Sequence, residues 1–402
     1  MNLSEINTAE FKQFVQDHLT EVPALLLFKY QGKVPFDLKT AVQQISARQK
    51  ATKKLPEWAS NPDLIFPASI SLEQSSSQET AQYKSLGLAG NSLIDLTGGF
   101  GVDFYYLSQH FDKGVYCERQ PELFQVSKYN LELLSPGRFD FEEGDGLGFL
   151  EKTEQHFDLI YADPARRGTG NQKLYKLQDC EPDVVSAWPL LTSKAEQILL
   201  KVSPMLDISQ AWQEIPDIQQ ITVVSVKNEV KELLLLWKKG AELAPKQIRV
   251  QDLESGQAEF VFSPSEEEAS ISTFGEAEKH LIEPISGILK AGAFKLFGER
   301  FALKKLETNS HLYTASEMPI KLPARVFEIL EEVPLKKNEL KSRFPQGKVN
   351  VLFRNYASKP EEFKKKFGLK DGGDDYLIGT KTLSGYKVFW CKRMQQNLSP
   401  VD

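Results

Sequence analysis

Short apolar runs of strand length alternate with helix-length amphipathic segments between residues 91 and 202. This alternation predicts βαβ units that build a parallel sheet. The predicted strands of this series are Ser92–Leu96, Gly114–Glu118, Phe139–Glu142, Phe157–Ala162 and Gln197–Val202. The next two apolar runs, Ile221–Val226 and Leu233–Trp237, are joined by a short polar link, which predicts a hairpin and an antiparallel strand at the sheet edge. Two further strands, 247–252 and 258–262, are expected to extend the sheet.

The segments on either side of this series have a different pattern. Residues 1–85 carry apolar positions at helical spacing, and residues 37–54 predict an amphipathic helix with a basic face. Residues 76–79 (SSQE) have the form of a capping box that opens a helix. The acidic stretch 263–270 is interpreted as a linker. The expected divisions are a helical region 1–85, an α/β sheet domain 86–265, a small unit 266–320 and a C-terminal α/β domain 321–402.

Composition narrows the class of protein. With 41% hydrophobic and 26% charged residues among 402, the chain is expected to be soluble, globular and multidomain. No apolar run approaches the roughly 18–20 residues that span a bilayer, and the N-terminus lacks the pattern of a secretory signal. The three cysteines lie far apart, which favours a reducing cytoplasm. The five histidines are scattered without ligand spacing, so no metal is expected.

Charge is distributed unevenly along the chain. The net charge is −6, yet residues 321–370 hold thirteen Lys and Arg against six Glu, a local net charge of +7. Aromatic residues are interleaved with these cations at Phe344, Phe353, Tyr356, Phe363 and Phe367. Basic and aromatic residues together suit phosphate contact and base stacking on RNA. The alternative is that the aromatic residues form a small core and the lysines a solvated face.

Four polar features follow the ends of successive predicted strands, where ligands bind in open α/β sheets. The first is the loop 95–101 (DLTGGFG), whose glycines allow close backbone approach to a ligand, although a turn that binds nothing also needs glycine. The second is Glu118, an acid placed to accept ribose hydroxyls, or alternatively an acid favoured at the N-terminus of the following helix.

The third feature is Asp145, on a glycine-flanked loop, where a carboxylate could accept an adenine amino group; loop acids are also common without any such role. The fourth is the segment 163–168 (DPARRG). Its proline orients the chain so that a carboxylate and carbonyls can accept hydrogen bonds from an amine, and its two arginines suit phosphate. An N-cap Asp followed by Pro is the alternative, but it does not explain the arginines.

The order and spacing of these four features resemble the class I S-adenosylmethionine (SAM)-dependent methyltransferases over about residues 86–262, with a Rossmann-like sheet. The resemblance implies a cofactor loop at 95–101, Glu118 as the ribose acid, Asp145 as the adenine acid and DPAR as the catalytic fourth motif. The expected cofactor contacts are Asp95, Thr97, Gly98, Gly99, Gly101, Glu118, Asp145 and Gly146.

The whole chain resembles a bacterial group in which this domain is followed by a small ferredoxin-like unit and a THUMP-like domain. The matching stretches are 73–84, 95–103, 162–168, 201–207 and 283–294. THUMP domains bind RNA, so the resemblance implies rRNA or tRNA as a partner. It also implies that Gln74 and Thr80 close over the cofactor. Lys364, Lys365 and Lys366 are candidate RNA contacts.

The fourth motif narrows the expected chemistry. Asp163, with the carbonyl of Pro164 or Ala165, is predicted to orient the methyl acceptor, and Arg166 and Arg167 to hold phosphate or a base edge. Adenine N6 methyltransferases favour an aromatic residue after D-P-P or N-P-P, and here none follows. Methylation of a uracil carbon needs a cysteine on the next strand, where residues 201–204 read KVSP. The cofactor loop also resembles that of an rRNA guanine N2-methyltransferase family, and this resemblance implies direct transfer to a base nitrogen.

Three rival functions remain open. An NAD(P)-dependent oxidoreductase would use the glycine loop and Glu118 but has no role for Asp145 or for residues 163–167. An RNA-binding protein with a degenerate methyltransferase domain would have the same motifs without activity. A small-molecule methyltransferase would not depend on the basic C-terminal segment.

Overall fold

We describe the protein from a computed structural model, which covers residues 3–67, 69–166, 176–241, 243–253, 259–317 and 322–395. The chain divides into two compact units. The first comprises Met1–Gln219 and Leu233–Ala244, and the second comprises Gln220–Glu232 and Pro245–Asp402. Each unit is α/β, as the sequence predicts.

In the described part of residues 1–89, seven helices precede the first strand, and side-chain caps explain where several of them begin. The helices are α1 (Leu3–Ile6), α2 (Ala9–Asp17), α3 (Pro23–Tyr30), α4 (Leu38–Lys54), α5 (Pro56–Ser60), α6 (Ser69–Gln74) and α7 (Gln78–Ser85). Thr8 caps α2 and Asp37 caps α4, each accepting a backbone N–H of the first turn. Helix α7 begins one residue later than the predicted capping box, because Ser77 accepts the amide of Thr80 while Ser76 donates to Asp103.

The strands and helices that follow α7 alternate as expected. The strands to residue 238 are β1 (Gly90–Asp95), β2 (Phe111–Glu118), β3 (Phe139–Glu143), β4 (Phe157–Ala162), β5 (Ala165–Arg166), β6 (Cys180–Glu181), β7 (Ala195–Val202), β8 (Gln220–Val226) and β9 (Glu229–Lys238). The helices are α8 (Val102–Ser108), α9 (Pro121–Leu134), α10 (Gly146–Lys152), α11 (Trp188–Lys194) and α12 (Ile208–Glu214).

The sheet of the first unit runs in the order β9-β7-β4-β1-β2-β3. Strands β7, β4, β1, β2 and β3 are parallel, and β9 is antiparallel to β7, which confirms the predicted antiparallel strand. The chain proceeds from β1 to β2 and β3 on one side and then returns to β4 on the other side of β1. The topological switch point therefore lies at the carboxyl ends of β1 and β4, where such sheets bind ligands.

The N-terminal helices share a hydrophobic core with α8 and α9. Trp58 of α5 packs edge-to-face on Phe100, with ring centroids 5.1 Å apart. Phe11, Leu26 and Ile45 are buried in the same cluster as Val126 of α9. Burial of this apolar area, at about 25 cal/mol per Å², holds the helices against the loop that follows β1.

The second unit contains two groups of strands. Its remaining strands are β10 (Gln247–Asp252), β11 (Phe260–Phe262), β12 (His280–Pro284), β13 (Lys304–Lys305), β14 (Tyr313–Ala315), β15 (Ala324–Glu332), β16 (Asn350–Arg354), β17 (Asp375–Thr382) and β18 (Gly385–Arg393). Its helices are α13 (Pro264–Ala269), α14 (Ser286–Ala291), α15 (Phe294–Arg300), α16 (Lys337–Arg343) and α17 (Pro360–Phe367). Strand β10 pairs with β8 and β11, and the other strands form one seven-stranded sheet in the order β13-β14-β12-β15-β18-β17-β16.

The acidic stretch interpreted as a linker is a helix. Ser263 accepts the amide of Glu266, and the Glu266 carboxylate accepts the amide of Ser263, so a full capping box opens α13. The prediction of a linker is wrong because acids in a first turn are stabilised by the helix dipole, although three consecutive Glu are also typical of a solvated linker. Across the part of the chain that the structure describes, no helix has the length and apolar character of a membrane span.

Candidate active site

A cavity opens at the carboxyl ends of β1, β2 and β4. Of the predicted cofactor and catalytic residues, those that line it are Asp95, Thr97, Gly98, Gly99, Gly101, Glu118, Asp145, Gly146 and Asp163. Gln74 lines it as well. The four acids named from separate strand ends thus surround one cavity.

Strand register explains why the polar side chains meet. Asp95 pairs with Tyr161 of β4, and Tyr161 pairs with Leu199 of β7. Thr97 and Asp163 lie just beyond the ends of β1 and β4, and Lys201 lies near the end of β7. The adjacent strand ends therefore bring the three side by side, where Thr97 Oγ1 accepts the amide of Asp163 and Lys201 pairs with the Asp163 carboxylate.

Gly98 and Gly101 are required by the shape of the loop after β1. A Cβ on Gly98 would lie 2.1 Å from the ring of Tyr116, whose hydroxyl donates to the carbonyl of Gly99 at 2.5 Å. Gly101 has φ +80°, a left-handed conformation that L side chains rarely adopt. The loop therefore turns tightly over Tyr116 and leaves its backbone along the cavity.

Glu118 is the last residue of β2, and two backbone amides bind its carboxylate. Its oxygens accept the amides of Gly99 at 2.8 Å and Gln120 at 2.7 Å, and the residue is 6% exposed. A carboxylate has about four acceptor sites, so two backbone bonds leave capacity for the hydroxyls of a ligand. The acid is therefore both part of the loop's structure and a candidate ligand contact.

Asp145 caps helix α10 and faces the cavity. Its Oδ2 accepts the amide of Gly148 at 3.1 Å. Beside it, a Cβ on Gly146 would lie 2.5 Å from the carbonyl oxygen of Leu96. The loop after β3 consequently packs directly against the loop after β1.

Thr97 connects the first and fourth motifs through its hydroxyl. The Thr97 Oγ1 donates to Asp95 Oδ1 at 3.2 Å and accepts the amide of Asp163 at 2.7 Å. Asp95 is 1% exposed, and burial raises its pKa well above the ordinary value despite the hydrogen bond from the Thr97 amide. The Asp95 side chain is therefore occupied in holding the two loops together.

A buried cluster of charged residues, which sequence reasoning did not identify, lies behind Asp163. Lys201 Nζ is 2.5 Å from Asp163 Oδ2 and 3.5 Å from Asp103 Oδ2. Lys84 of α7 pairs with the other oxygen of Asp103 at 3.2 Å, and its side chain has no exposed area. Tyr161 donates to Asp103 Oδ2 at 2.8 Å.

The charges of this cluster determine the state of Asp103. Burial alone would raise the pKa of Asp103, but Lys84 and Lys201, with hydrogen bonds from Tyr161 and Ser76, lower it well below the ordinary value. Asp103 is therefore ionised at neutral pH.

The segment after Asp163 forms a short ribbon. Ala165 pairs with Glu181 and Arg166 with Cys180 in an antiparallel arrangement of β5 and β6. Pro164 is buried at the start of this ribbon. Arg167 and the side chain of Arg166 lie outside the described residues.

Two further expectations have different outcomes. Gln74 lines the cavity, but Thr80 is buried in α7, is not among the lining residues and donates its hydroxyl to the carbonyl of Ser77. Cys180, the cysteine nearest in sequence to the segment 163–168, is fully buried in β6.

Comparisons with known proteins bear on the whole chain. A family model described as a ferredoxin-like domain matches residues 280–323, and one described as THUMP domain-like matches 324–393. A crystal structure from Porphyromonas gingivalis W83, named a "putative methyltransferase", is similar at 31% identity and a TM-score of 0.85 over 96% of this chain and 98% of that chain. The chain belongs to this class I methyltransferase family with a C-terminal THUMP-like domain.

More distant solved structures match part of the chain. TrmK of M. capricolum in complex with S-adenosyl-homocysteine is 12% identical over 44% of this chain and 71% of its own, with a TM-score of 0.30. An rRNA methylase from Streptococcus thermophilus is 12% identical over 40% of this chain and 93% of its own, with a TM-score of 0.30. A search of the curated proteins finds no match.

In the THUMP-like domain, the aromatic residues proposed for base stacking belong to the core. Phe344, Phe353 and Phe363 are 5%, 8% and 3% exposed and pack together with Leu340 and Leu377. The alternative interpretation is therefore correct for these three rings, because a small sheet with two covering helices needs them for its core.

The lysines of the same domain have separate environments. Lys364 pairs with Asp371 at 2.7 Å, whereas Lys365 and Lys366 are exposed on the last turn of α17. Two of the local arginines, Arg325 and Arg354, both bind the buried carboxylate of Glu283. Only part of the local charge of +7 is thus presented to solvent.

One feature of the sequence could have identified part of the buried charged cluster. Lys201 interrupts the apolar run ILLKV of a buried parallel strand, and an ionisable residue in such a strand requires a partner. Asp103, Ser76 and Lys84 lie within the stretches 95–103 and 73–84 that match the family, but nothing in their spacing joins them. Among the described residues, no group of His, Cys, Asp and Glu is arranged to hold a metal ion.

Proposed function

We propose that this protein is an S-adenosylmethionine-dependent methyltransferase that modifies a base nitrogen of rRNA or tRNA. The observation that carries the proposal is the single cavity lined by the loop 95–101, Glu118, Asp145 and Asp163 at the switch point of the sheet. An oxidoreductase site would leave Asp145 and Asp163 without a role.

The residues around the cavity fit this cofactor. Glu118 would accept ribose hydroxyls with the acceptor capacity left by its two backbone bonds. Asp145, which lines the same cavity, would accept the adenine amino group, and the backbone of Gly98–Gly101 would follow the chain of the cofactor. When bound, the cofactor supplies a sulfonium methyl group that is already activated for transfer.

The protein's own contribution is positioning. Asp163 is the cavity acid that follows β4, and its side chain is 39% exposed, so its carboxylate can accept an N–H of the acceptor base and direct the nitrogen lone pair toward the methyl group. When the protein holds the reacting atoms in line, a bimolecular encounter becomes a step within one complex. This positioning lowers the activation barrier of methyl transfer by several kcal/mol. None of the described residues that line the cavity is a cysteine, so covalent attack on a pyrimidine carbon has no nucleophile there.

RNA as the substrate is supported by the THUMP-like match at residues 324–393 and by the exposed Lys365 and Lys366. Phosphate contacts by such cations supply affinity that decreases with salt. We therefore expect RNA retention by the full chain to weaken steeply between low and moderate salt.

Calorimetry with S-adenosylhomocysteine tests the cofactor. We expect micromolar affinity for the wild type and a loss of at least about tenfold in Glu118→Ala, since a hydrogen-bonded charge is worth roughly 1.5–3 kcal/mol. Glu143→Ala is the matched control, because this neighbouring acid ends β3, is exposed and does not line the cavity. Binding of NADH in place of S-adenosylhomocysteine would contradict the proposal.

Methyl transfer tests the substrate. RNA from a strain lacking the gene should gain labelled methyl groups, and digestion to nucleosides with mass spectrometry should identify the modified base. Binding of the cofactor without transfer to any RNA would favour a non-catalytic RNA-binding protein. Unchanged activity after reversing the charges of Lys365 and Lys366, with transfer to a small molecule, would favour a small-molecule methyltransferase.

A further inference from the structure

Lys201 is a charged residue inside an otherwise apolar strand. Its neighbours Ile198 and Leu200 are fully buried, and its own side chain is only 10% exposed. A buried ammonium is strongly unfavourable unless it is paired and hydrogen-bonded. Its position near the carboxyl end of β7, where it lines the cavity, therefore indicates a specific role.

The ammonium of Lys201 contacts the acid predicted to orient the acceptor. Nζ lies 2.5 Å from Asp163 Oδ2, and both residues line the cavity. The amide of Asp163 is fixed separately by Thr97 Oγ1 at 2.7 Å. The backbone and one carboxylate oxygen of Asp163 are thus held, while the side chain stays 39% exposed toward the cavity.

Lys201 is itself held from behind. Asp103 Oδ2 lies 3.5 Å from its Nζ, and Ser76 Oγ accepts from it at 3.4 Å. Asp103 is held in turn by Lys84 and by hydrogen bonds from Tyr161 and Ser76. Because Ser76 and Lys84 lie before and within α7, the N-terminal helices contribute directly to the placement of Lys201.

We propose that Lys201 is a positioning residue, which orients the Asp163 carboxylate toward the methyl acceptor and is kept in place by Asp103 and Lys84. This inference rests on the proposed function and describes how the side chains of its site are held in place. A partly exposed carboxylate otherwise samples several rotamers, and supporting contacts that select one of them preserve the geometry for transfer. A displacement of about 1 Å in a catalytic group can lower the rate about 100-fold.

A second role for Lys201 would be to bind the carboxylate of the cofactor's amino acid. The two roles differ in what they change. A positioning residue that acts through Asp163 changes the rate of transfer and leaves cofactor affinity alone. A cofactor ligand changes the affinity for S-adenosylhomocysteine, which carries the same carboxylate but no methyl group.

The experiment is a double-mutant cycle on the full chain with Lys201→Met, Asp163→Asn and the double variant. For Lys201→Met we expect kcat for methyl transfer to RNA from a deletion strain to fall about 100-fold, with the KM for the cofactor and the Kd of S-adenosylhomocysteine within about threefold of wild type. In the Asp163→Asn background, the same substitution should lower kcat no more than about threefold further. Lys201→Arg, which keeps the charge, should recover kcat to within about tenfold of wild type.

Stability is controlled with Lys305→Met, which removes another buried lysine in the second unit, far from these residues in the chain. Circular dichroism shows whether each variant is folded at the assay temperature, and Lys201→Arg supplies the kinetic comparison if Lys201→Met is unfolded there. A loss of S-adenosylhomocysteine affinity of more than about tenfold in either Lys201 variant, or additive effects in the cycle, overturns the inference. Wild-type protein that transfers no methyl group refutes the proposed function, and the inference with it; an active wild type with equally active Lys201 variants refutes the inference alone.

Discussion

Asp103→Asn should destabilise the first unit, because Asp103 is the shared counter-charge of two buried lysines. Its oxygens lie 3.2 Å from Lys84 Nζ and 3.5 Å from Lys201 Nζ. At an effective dielectric constant of about 20, each pair has a gross attraction of about 5 kcal/mol. The net loss is smaller, since Asn still accepts hydrogen bonds and Lys201 keeps Asp163. Removing one partner of a buried pair typically lowers the free energy of unfolding by about 3–5 kcal/mol, which is the loss expected here.

Native-state hydrogen exchange measures this change in the first unit alone, through the most protected amides of β1 and β4. Asp37→Asn is the control, because it makes the same chemical change at an exposed N-cap where Asn serves as well as Asp. In the double variant Lys84→Met with Asp103→Asn, the loss should be smaller than the sum of the two single losses, since one buried charge of each sign is removed. A loss below about 1 kcal/mol in Asp103→Asn would show that the pairs do not hold the site together.

The same carboxylate has a defined dependence on pH. The pKa of Asp103 is lowered in the folded protein, so its contribution to stability is complete above the ordinary pKa of an aspartate, about 3.9, and is lost as the pH falls below it. We therefore expect the difference in stability between wild type and Asp103→Asn to be constant from pH 7 to about pH 5 and to shrink below pH 4. A difference that grows on acidification would contradict this assignment of charge.

Three further predictions concern other parts of the molecule. Gly98→Ala should lower the free energy of unfolding by about 1–3 kcal/mol and weaken S-adenosylhomocysteine binding, because its Cβ would overlap the ring of Tyr116. Urea unfolding measures the stability and calorimetry the binding. Wild-type values in both would show that the loop has room for the methyl group. All three cysteines are buried, and burial raises the pKa of Cys117 and Cys391. A thiol reagent should therefore label no cysteine in the folded protein and three in urea. Rapid labelling of the folded protein would refute this. Phe363→Ala should lower the stability of the second unit by about 3–5 kcal/mol, as expected for a core ring and not for an exposed stacking platform; a loss under about 1 kcal/mol with weakened RNA binding would favour stacking.

Much of the fold could be predicted because local patterns and parallel-sheet topology constrain each other. The apolar runs indicated β1 to β4 and β7 to within a few residues, and the antiparallel β9 followed from the short link after β8. The prediction of a linker at residues 263–270 was wrong because the same sequence pattern occurs in linkers and at the start of helices. Three glutamates in a row are common in linkers, yet with Ser263 before them they open α13.

The sequence by itself determined the fold class, the strand tips that carry the acids and the gathering of Asp95, Glu118, Asp145 and Asp163 at one edge. It did so because the carboxyl ends of neighbouring parallel strands lie at the same edge of the sheet, independently of the structure of the connecting loops. Only the tertiary structure decided which side chains Lys201 and Lys84 pair with, and whether Phe363 faces solvent or core. Those contacts join residues far apart in the chain, and their geometry depends on how helices pack on the sheet, which no local pattern encodes.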